Sequence, residues 1–383
     1  MSASAFAPAM DEAIRLAGNG RWKTAPNPTV GAVLVRDGHI VARGWHEACG
    51  ARHAEIACLE DAARKQVNPA DCTLVVTLEP CNHQGRTPPC TEAILAAGIR
   101  RVVVGFSDPN PAAAGGIARL RGAGVRVDAG VCENACRDLI ADFLIWQQAR
   151  RPFVVLKLAG TLDGRIATRS GHSRWVSGTA SRATVHALRA AVGLRGGAVL
   201  IGGNTLLADN PLLTARPEGG MVARQPLAAA VISRLSTAVG LKLVQERPAE
   251  TILFSTPAAA ASPAAADLRK KDVRVIGIAP WRLRTGLDLE AVLAHLYETG
   301  CFYVLCEGGG RLGLSLLDAG LADEFHLHLA PKVLGDEAAS PLFCGRESLT
   351  MQEALNLRIV QAALCGDDCH IILRPNPPEK EVA

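Results

Sequence analysis

The sequence has 383 residues, of which 49% are hydrophobic and 20% charged, and its formal net charge at pH 7 is +4. A chain of this length usually divides into two folding units, and its basic residues are scattered among acidic ones, which argues against a nucleic-acid partner. Since no apolar stretch approaches a membrane span and residues 1–20 lack the features of a signal peptide, we expect a cytoplasmic protein without a membrane partner.

The first part of the chain alternates predicted helices and strands. A helix over 9–17 precedes a hairpin of strands 30–35 and 40–44, whose turn is Asp37-Gly38. The pattern then predicts helix 53–65, strand 73–78, helix 91–97, strand 101–106, helix 116–122, strand 125–127 and helix 134–150. Such alternation is typical of an α/β sandwich.

Pro152 indicates a domain boundary, because a proline restricts the preceding residue to extended geometry. We therefore expect domains at 1–149 and 150–383. The second is again α/β, with a loop or weak helix at 257–267. Its predicted elements are strand 153–159, helix 179–191, strands 198–201, 228–232, 251–254 and 273–276, helix 287–298, strand 301–306, helix 311–319 and strands 324–329 and 370–373.

A split metal-binding signature lies in the first domain. His53 stands two residues before Glu55, and Cys81 is followed, after eight intervening residues, by Cys90. A catalytic zinc has three protein ligands and an open position for water, whereas a structural zinc is closed by four. His53, Cys81 and Cys90 supply three ligands, and Glu55 is an acid/base beside the metal. The alternative is a structural zinc closed by Cys49, Cys58 or His83.

The chain contains twelve cysteines. In a large chain without secretory features they are better explained as reduced thiols than as a disulfide framework. A second metal site at Cys365, Cys369 and His370 is a weaker alternative, because its spacing matches no common ligand pattern.

The metal signature resembles that of zinc deaminases acting on nucleobases and nucleosides. Together with the segments 77–90 and 108–111, it is similar to the bifunctional deaminase-reductase family of riboflavin biosynthesis. The long interval between Cys81 and Cys90 points away from nucleic-acid editors, which share a Pro-Cys-x-x-Cys spacing. The resemblance implies an N-terminal cytidine-deaminase-like α/β/α sandwich and a C-terminal dihydrofolate-reductase-like α/β domain.

For the first domain, the resemblance implies zinc-dependent hydrolytic deamination of 2,5-diamino-6-ribosylamino-4(3H)-pyrimidinone 5′-phosphate, with Glu55 moving the protons. Asn27, which precedes the first strand, is expected to read the pyrimidine edge, although Asn27-Pro28 alone is also a common turn. His83 and Arg86 lie between the two cysteines. They are candidates for substrate contact, with Arg86 suited to phosphate, or are solvated loop residues.

For the second domain, the resemblance implies hydride transfer from NADPH to the ribose carbon, which opens the sugar to a ribityl chain. It rests on the segments 157–165, 170–175, 186–190, 204–216 and 307–310. The NADPH contacts that it implies are Ala159, Trp175, Thr205, Asp209, Gly309 and Gly310, within a stretch that continues to Ser315. The substrate contacts that it implies are Ser173, Arg189, Leu213, Arg216 and Glu307, of which the two arginines suit a phosphate.

In three places the sequence departs from the family pattern, which makes reductase activity less certain than deaminase activity. The run 190–197 is longer than usual, Ser233 replaces an aspartate at the end of a strand, and the segment after residues 108–111 is one residue short. Two alternatives follow: a deaminase with a non-catalytic C-terminal binding or oligomerisation domain, and a polynucleotide deaminase with an accessory RNA-binding domain. A homo-oligomer is left open.

Overall fold

The computed structural model describes residues 3–84, 88–111, 113–217, 220, 222–281, 286–348 and 350–376. The chain divides into two compact units, Met1–Arg150 and Arg151–Ala383. Among the described residues, no helix combines the length and the apolar character that crossing a bilayer requires.

The first unit contains a five-stranded sheet in the order β2-β1-β3-β4-β5. β1 pairs antiparallel with β2 and β3, whereas β3, β4 and β5 run parallel. Its strands are β1 (Gly31–Arg36), β2 (His39–Trp45), β3 (Thr73–Leu78), β4 (Arg101–Phe106) and β5 (Arg126–Ala129). The central strands are buried on both faces, which explains their continuous apolar sequence.

Helices cover both faces of this sheet and form two apolar cores. One core joins α2, α3 and α4 to the sheet, and the other joins α1 and α5 to the opposite face. The unit is therefore the expected α/β/α sandwich. Its helices are α1 (Ala7–Ala17), α2 (Ala54–Arg64), α3 (Cys90–Ala96), α4 (Gly116–Gly122), α5 (Glu133–Leu139) and α6 (Ala141–Gln148).

The second unit is built on a nine-stranded sheet in the order β11-β10-β9-β8-β12-β6-β13-β16-β15. The strands from β11 to β13 are parallel, and β16 and β15 add an antiparallel edge. β7 and β14 form a separate pair. The strands are β6 (Phe153–Thr161), β7 (Arg165–Ala167), β8 (Ala198–Gly202), β9 (Leu227–Val231), β10 (Thr251–Ser255), β11 (Arg274–Gly277), β12 (Tyr303–Cys306), β13 (Glu324–Ala330), β14 (Ser340–Pro341), β15 (Leu357–Cys365) and β16 (Asp368–Pro375).

The main core of the second unit lies between the sheet and helices α12 and α13. The mixed α/β class expected for this unit is confirmed. Its helices are α7 (Thr179–Leu194), α8 (Gly203–Asp209), α9 (Lys242–Glu246), α10 (Pro257–Ala260), α11 (Pro263–Arg269), α12 (Leu289–Glu298) and α13 (Gly310–Asp318).

One predicted helix is divided in the structure. The helix expected over 134–150 is two helices, because Ile140 leaves the helical region (φ −105°, ψ 21°). Of the two possibilities for the stretch 257–267, a loop or a weak helix, the structure has the short helices α10 and α11, whose first turns are capped by the Thr256 and Ser262 side chains. β15 was not predicted, since a register shift between Ile359 and Gln361 breaks the alternation that marks a strand.

Candidate functional sites

The three candidate metal ligands come together at one end of the first unit's sheet. His53 immediately precedes α2, Cys81 follows β3, and Cys90 is the first residue of α3. His53 Nδ1 lies 3.6 Å from Cys81 Sγ and 3.3 Å from Cys90 Sγ. One ring nitrogen and two sulfurs facing a common point are a donor set that fits zinc.

No fourth side chain joins this group among the described residues. The ligand atoms of His53, Cys81 and Cys90 lie within 4.8 Å of one another, and His83 and Cys58 are not part of the set. Nor do Cys365, Cys369 and His370 form a comparable group in the part of the chain that the structure describes. Three ligands without a fourth are the arrangement of a catalytic zinc.

The contact between the two cysteine side chains favours the thiolate form of Cys81 even without a metal ion. A hydrogen bond from the Cys90 thiol lowers the pKa of Cys81 to about 4, and the Cys90 backbone N–H donates to the same sulfur at 3.4 Å. The interaction with Cys81, together with burial, raises the pKa of Cys90. Cys81 and Cys90 together thus carry a negative charge close to His53. This negative charge attracts a cation.

Glu55 is buried in the first turn of α2, with 4% of its surface exposed. Burial raises the pKa of its carboxyl group to about 7. A carboxyl group near neutrality can both accept and return a proton, which suits an acid/base that serves two steps. The structure therefore places beside the metal ligands the carboxyl group that the sequence assigned to proton transfer.

A cavity of about 300 Å³ opens onto Glu55 and two of the metal ligands, His53 and Cys81. Asn27 lines it, and the Asn27 Nδ2 atom lies 3.4 Å from Nε2 of His46. His46 Nδ1 in turn lies 2.9 Å from the Arg52 carbonyl oxygen. His46 was not predicted as a site residue. The only feature of the sequence that could have indicated it is its position directly after the predicted second strand. His83 also lines the cavity, whereas Arg86 falls outside the described residues.

Glu79, two residues before Cys81, binds backbone groups of the segment between β4 and α4, which contributes to the lining of this cavity. Its carboxylate accepts backbone N–H groups of Asp108 at 3.1 Å, Gly115 at 3.0 Å and Ile117 at 2.9 Å. These bonds hold parts of the segment between β4 and α4 against Glu79. Asp108 and Asn110 from the same segment line the cavity.

The second unit contains a cavity of about 1170 Å³ beside the carboxyl ends of its parallel strands, where ligands of open α/β sheets bind. Ligand candidates from distant parts of the sequence line it: Ala159, Ser173, Trp175, Arg189, Thr205, Asp209, Arg216, Glu307, Gly309 and Gly310. Leu213 does not line it and is buried. The run 190–197 forms the end of α7 and the turn before β8, and Thr205 and Asp209 line the cavity.

The glycines at 308–310 allow the chain to pass closely beside its neighbours. A Cβ atom on Gly310 would lie 2.3 Å from the Leu342 carbonyl oxygen, and one on Gly309 would approach the Thr205 hydroxyl at 3.6 Å. The helix that begins at Gly310 points its free N–H groups at the cavity. This cradle fits a dinucleotide pyrophosphate.

Charged side chains also meet in this cavity. Arg189 donates through Nε and Nη2 to the two carboxylate oxygens of Glu307, at 2.5 and 2.9 Å. Lys157 lines the same cavity, and burial lowers its pKa. No role for Lys157 was predicted from the sequence, although it is the one charged residue of the apolar segment 153–159.

Family models match most of the chain. The RibD C-terminal domain matches residues 152–371, and the cytidine and deoxycytidylate deaminase zinc-binding region matches residues 6–106. The chain is similar to the riboflavin biosynthesis protein RibD of Aquifex aeolicus, with 38% identity over 95% of this chain and 97% of that protein. It is also similar to the RibD protein of Escherichia coli K12, with 37% identity over 86% of this chain and 88% of that protein.

Among solved structures, the chain is likewise similar to RibD proteins. The deaminase/reductase of Thermotoga maritima has a TM-score of 0.76 and 34% identity, covering 98% of this chain and 99% of that chain. Acinetobacter baumannii RibD has a TM-score of 0.77 and 33% identity, covering 98% of this chain and 100% of that chain. Both matches extend over the two units.

Proposed function

This chain belongs to the RibD family and is a bifunctional deaminase and reductase of riboflavin biosynthesis, and we propose that residues 1–149 carry the deaminase and residues 150–383 the reductase. We assign the deaminase the substrate 2,5-diamino-6-ribosylamino-4(3H)-pyrimidinone 5′-phosphate. The observation that carries this assignment is the convergence of His53, Cys81 and Cys90, with the buried carboxyl group of Glu55 beside them.

In the deaminase, His53, Cys81 and Cys90 would hold a zinc ion, and Glu55 transfers protons. Zinc, when bound, supplies Lewis-acid activation of water for attack on the amine-bearing ring carbon. Glu55 accepts a proton from that water and returns protons to the ring nitrogen and to the departing ammonia. Asn27, oriented by His46, binds the polar edge of the pyrimidine. The net reaction exchanges one amino group for a carbonyl oxygen and releases ammonia.

In the reductase, the glycine turn at 308–310 and the residues Thr205 and Asp209 would hold NADPH, and this cofactor would supply the hydride that reduces the ribose carbon. Lys157 delivers a proton to the sugar oxygen as the ring opens, because its lowered pKa makes it a better acid than an exposed lysine. Glu307 and Ser173 bind the sugar hydroxyls. The reaction thus adds one hydride to the ribose carbon and one proton to the sugar oxygen.

A two-part assay with the zinc-loaded chain tests this function. Ammonia release from the diamino substrate reports the deaminase, and NADPH oxidation with the deaminated product reports the reductase. We expect both activities in one preparation. Ammonia release without NADPH oxidation would instead mean a non-catalytic C-terminal domain, which is not favoured because that cavity retains nearly all of its expected lining.

We further place the enzyme in the cytoplasm, acting on small molecules and not on nucleic acid. A homo-oligomer formed through the edge strand β15 is part of the proposal. Ile359 and Leu364 on this strand are 64% and 83% exposed, and an unpaired edge with apolar side chains commonly pairs with another chain. Light scattering after size-exclusion chromatography tests it, since a monomer at micromolar concentration would contradict it.

A further inference from the structure

Three histidines lie together on one face of the second unit's sheet and do not line its cavity. His326 and His328 are two residues apart on β13, and His370 on β16 lies directly opposite His328 in the antiparallel pairing. The rings of His328 and His370 stack with 4.3 Å between their centroids and an angle of 3° between their planes. The His326 ring lies 5.0 Å from that of His370. We call these three residues the histidine cluster.

The histidine cluster lies where two parts of the sheet join. In the strand order, β16 and β15 follow β13 at one end of the sheet, so the β13–β16 pairing attaches them to the parallel strands. On the other side of β13, Lys157 and Ala159 of β6 pair in register with His326 and His328. Both β6 residues line the large cavity. The cluster therefore connects the antiparallel edge to a strand that forms part of the cavity wall.

His326 has a partner for each of its ring nitrogens. His326 Nε2 lies 2.7 Å from Glu324 Oε1, and Arg374 donates to the other carboxylate oxygen through Nε at 3.0 Å and Nη2 at 2.7 Å. His326 Nδ1 lies 3.1 Å from Nε2 of His370. A buried carboxylate thus accompanies this histidine.

His328 is in a different environment. Its side chain is fully buried, and neither of its ring nitrogens has a hydrogen-bond partner among the described residues. A positive charge on this ring would lose its hydration without gaining a partner. Burial, the positive charge of Lys157 and the two other histidines lower the pKa of His328 to about 3. Burial, His326 and Lys157 also lower the pKa of His370.

Cations outnumber carboxylates around the histidine cluster. Glu324 is bonded to His326 and Arg374, and the Asp368 carboxylate accepts the Gly178 N–H at 2.7 Å. The ionisable α7 side chains Arg182, His186 and Arg189 line the cavity. The charged residues that share the face of the sheet with the cluster are Lys157 of β6, Glu324 of β13, Asp368 and Arg374 of β16, and Arg358 of β15.

We propose that the histidine cluster is a pH-sensitive switch in the reductase unit, which holds the antiparallel edge to the parallel sheet while its rings are neutral and releases that edge when His328 and His370 take up protons. Protonation of both places like charges directly opposite each other across the β13–β16 pairing, which is destabilising. The switch is a response to acid that the proposed reductase reaction does not require.

The direction of the pH dependence follows from the difference between the folded and the open state. His328 binds a proton less readily in the folded sheet than it does once exposed, where its pKa returns to the ordinary value of 6.5. The open state therefore binds more protons below this pH. The β13–β16 pairing is at full strength above about pH 6.5 and weakens as the pH falls, with the opening equilibrium rising about 10-fold for each pH unit.

Hydrogen exchange at the backbone amides of β13 and β16 in the full-length chain tests the switch. The measured quantity is the protection of these amides, corrected for the intrinsic exchange rate, at about pH 7.5 and about pH 5.5. Between the two, protection in the wild type should fall about 10-fold more than in His328→Phe, whose ring stacks but takes up no proton. The matched control is His295→Phe on α12, outside the cluster, which should behave like the wild type.

A second readout is the survival of NADPH oxidation in acid. Each enzyme is kept at about pH 5.5 and then assayed at neutral pH, so that the pH dependence of the chemical step does not contribute. We expect the wild type to lose NADPH oxidation at least about 5-fold faster than His328→Phe. Ammonia release should be lost at equal rates in both, since the deaminase residues lie in the first unit.

Equal falls in amide protection for the wild type and His328→Phe overturn the proposal, as does a wild type whose β13 and β16 amides are equally protected at both pH values. Should His328→Phe fail to fold at neutral pH, His328→Leu decides by the same comparison. A wild type without NADPH oxidation contradicts the proposed reductase function, and hydrogen exchange still decides whether the switch exists.

Discussion

Asn27 and His46 are linked by a hydrogen bond whose direction the structure determines. The Arg52 carbonyl oxygen can only accept, so His46 Nδ1 carries the proton, and burial lowers the pKa of His46 and keeps the ring neutral. His46 Nε2 therefore accepts from the Asn27 amide nitrogen. The Asn27 carbonyl oxygen stays available for a donor on the substrate, such as an amino group.

Replacing His46 should weaken substrate binding in the deaminase without loss of metal. We expect His46→Ala to raise KM for deamination about 10-fold, since Asn27 loses the partner that orients its amide, a loss of about 1.4 kcal/mol. His39→Ala, on the exposed start of β2, is the matched control. An unchanged KM in His46→Ala would show that Asn27 is oriented by other contacts.

Glu55→Gln should abolish deamination and retain zinc. The substitution preserves the shape of the side chain but removes the proton acceptor, so kcat should fall by about 10³-fold. Metal analysis should still give one zinc per chain, and the rate of NADPH oxidation should be unaffected. Substantial residual ammonia release would reject the role assigned to Glu55.

Glu79→Gln should destabilise the first unit. The variant loses the charge that binds three backbone N–H groups and places an amide donor against one of them, at an expected cost of about 2 kcal/mol in the free energy of unfolding. Glu92→Gln is a suitable control, because Glu92 is exposed and its ion pair with Arg119 contributes little. Denaturant titration of both variants measures the difference, and equal stabilities would contradict the role of Glu79.

Gly310→Ala should weaken NADPH binding. The added methyl group would meet the Leu342 backbone oxygen at 2.3 Å, so the glycine turn must shift away from the cofactor. We expect Kd for NADPH to rise at least about 10-fold, a cost of about 1.4 kcal/mol, as measured by fluorescence quenching. Gly240→Ala, which has open space around it, should bind NADPH normally. Equal NADPH affinities of the Gly310→Ala and Gly240→Ala variants would contradict the assignment of the glycine turn to the cofactor site.

Much of the fold could be predicted from local pattern. The buried strands β3 and β12 have continuous apolar sequences, and α2 begins at a recognisable change from loop to apolar helix. β15 lacked such a signal, because it is exposed along most of its length and contains a bulge. Exposed edge strands depend on their pairing partner more than on their own sequence.

The candidate sites were predictable where chemistry requires rare residue types at fixed spacing, as at His53, Cys81 and Cys90. The spacing could not reveal His46, which acts through a contact with Asn27 across 19 positions. Nor could it reveal the ion pair of Arg189 with Glu307, since only the folded chain brings these residues together across 118 positions. The substrate contact predicted for Leu213 stays a prediction, since this residue is buried and does not line the cavity.

The most direct test of the account is zinc stoichiometry measured together with both activities. We expect one zinc per chain in the wild type and little or none in Cys81→Ser. Removal of zinc by a chelator should abolish ammonia release and leave NADPH oxidation with the deaminated product intact. A purified chain that releases ammonia at the full rate without bound zinc would contradict the central claim that His53, Cys81 and Cys90 hold a catalytic metal beside Glu55.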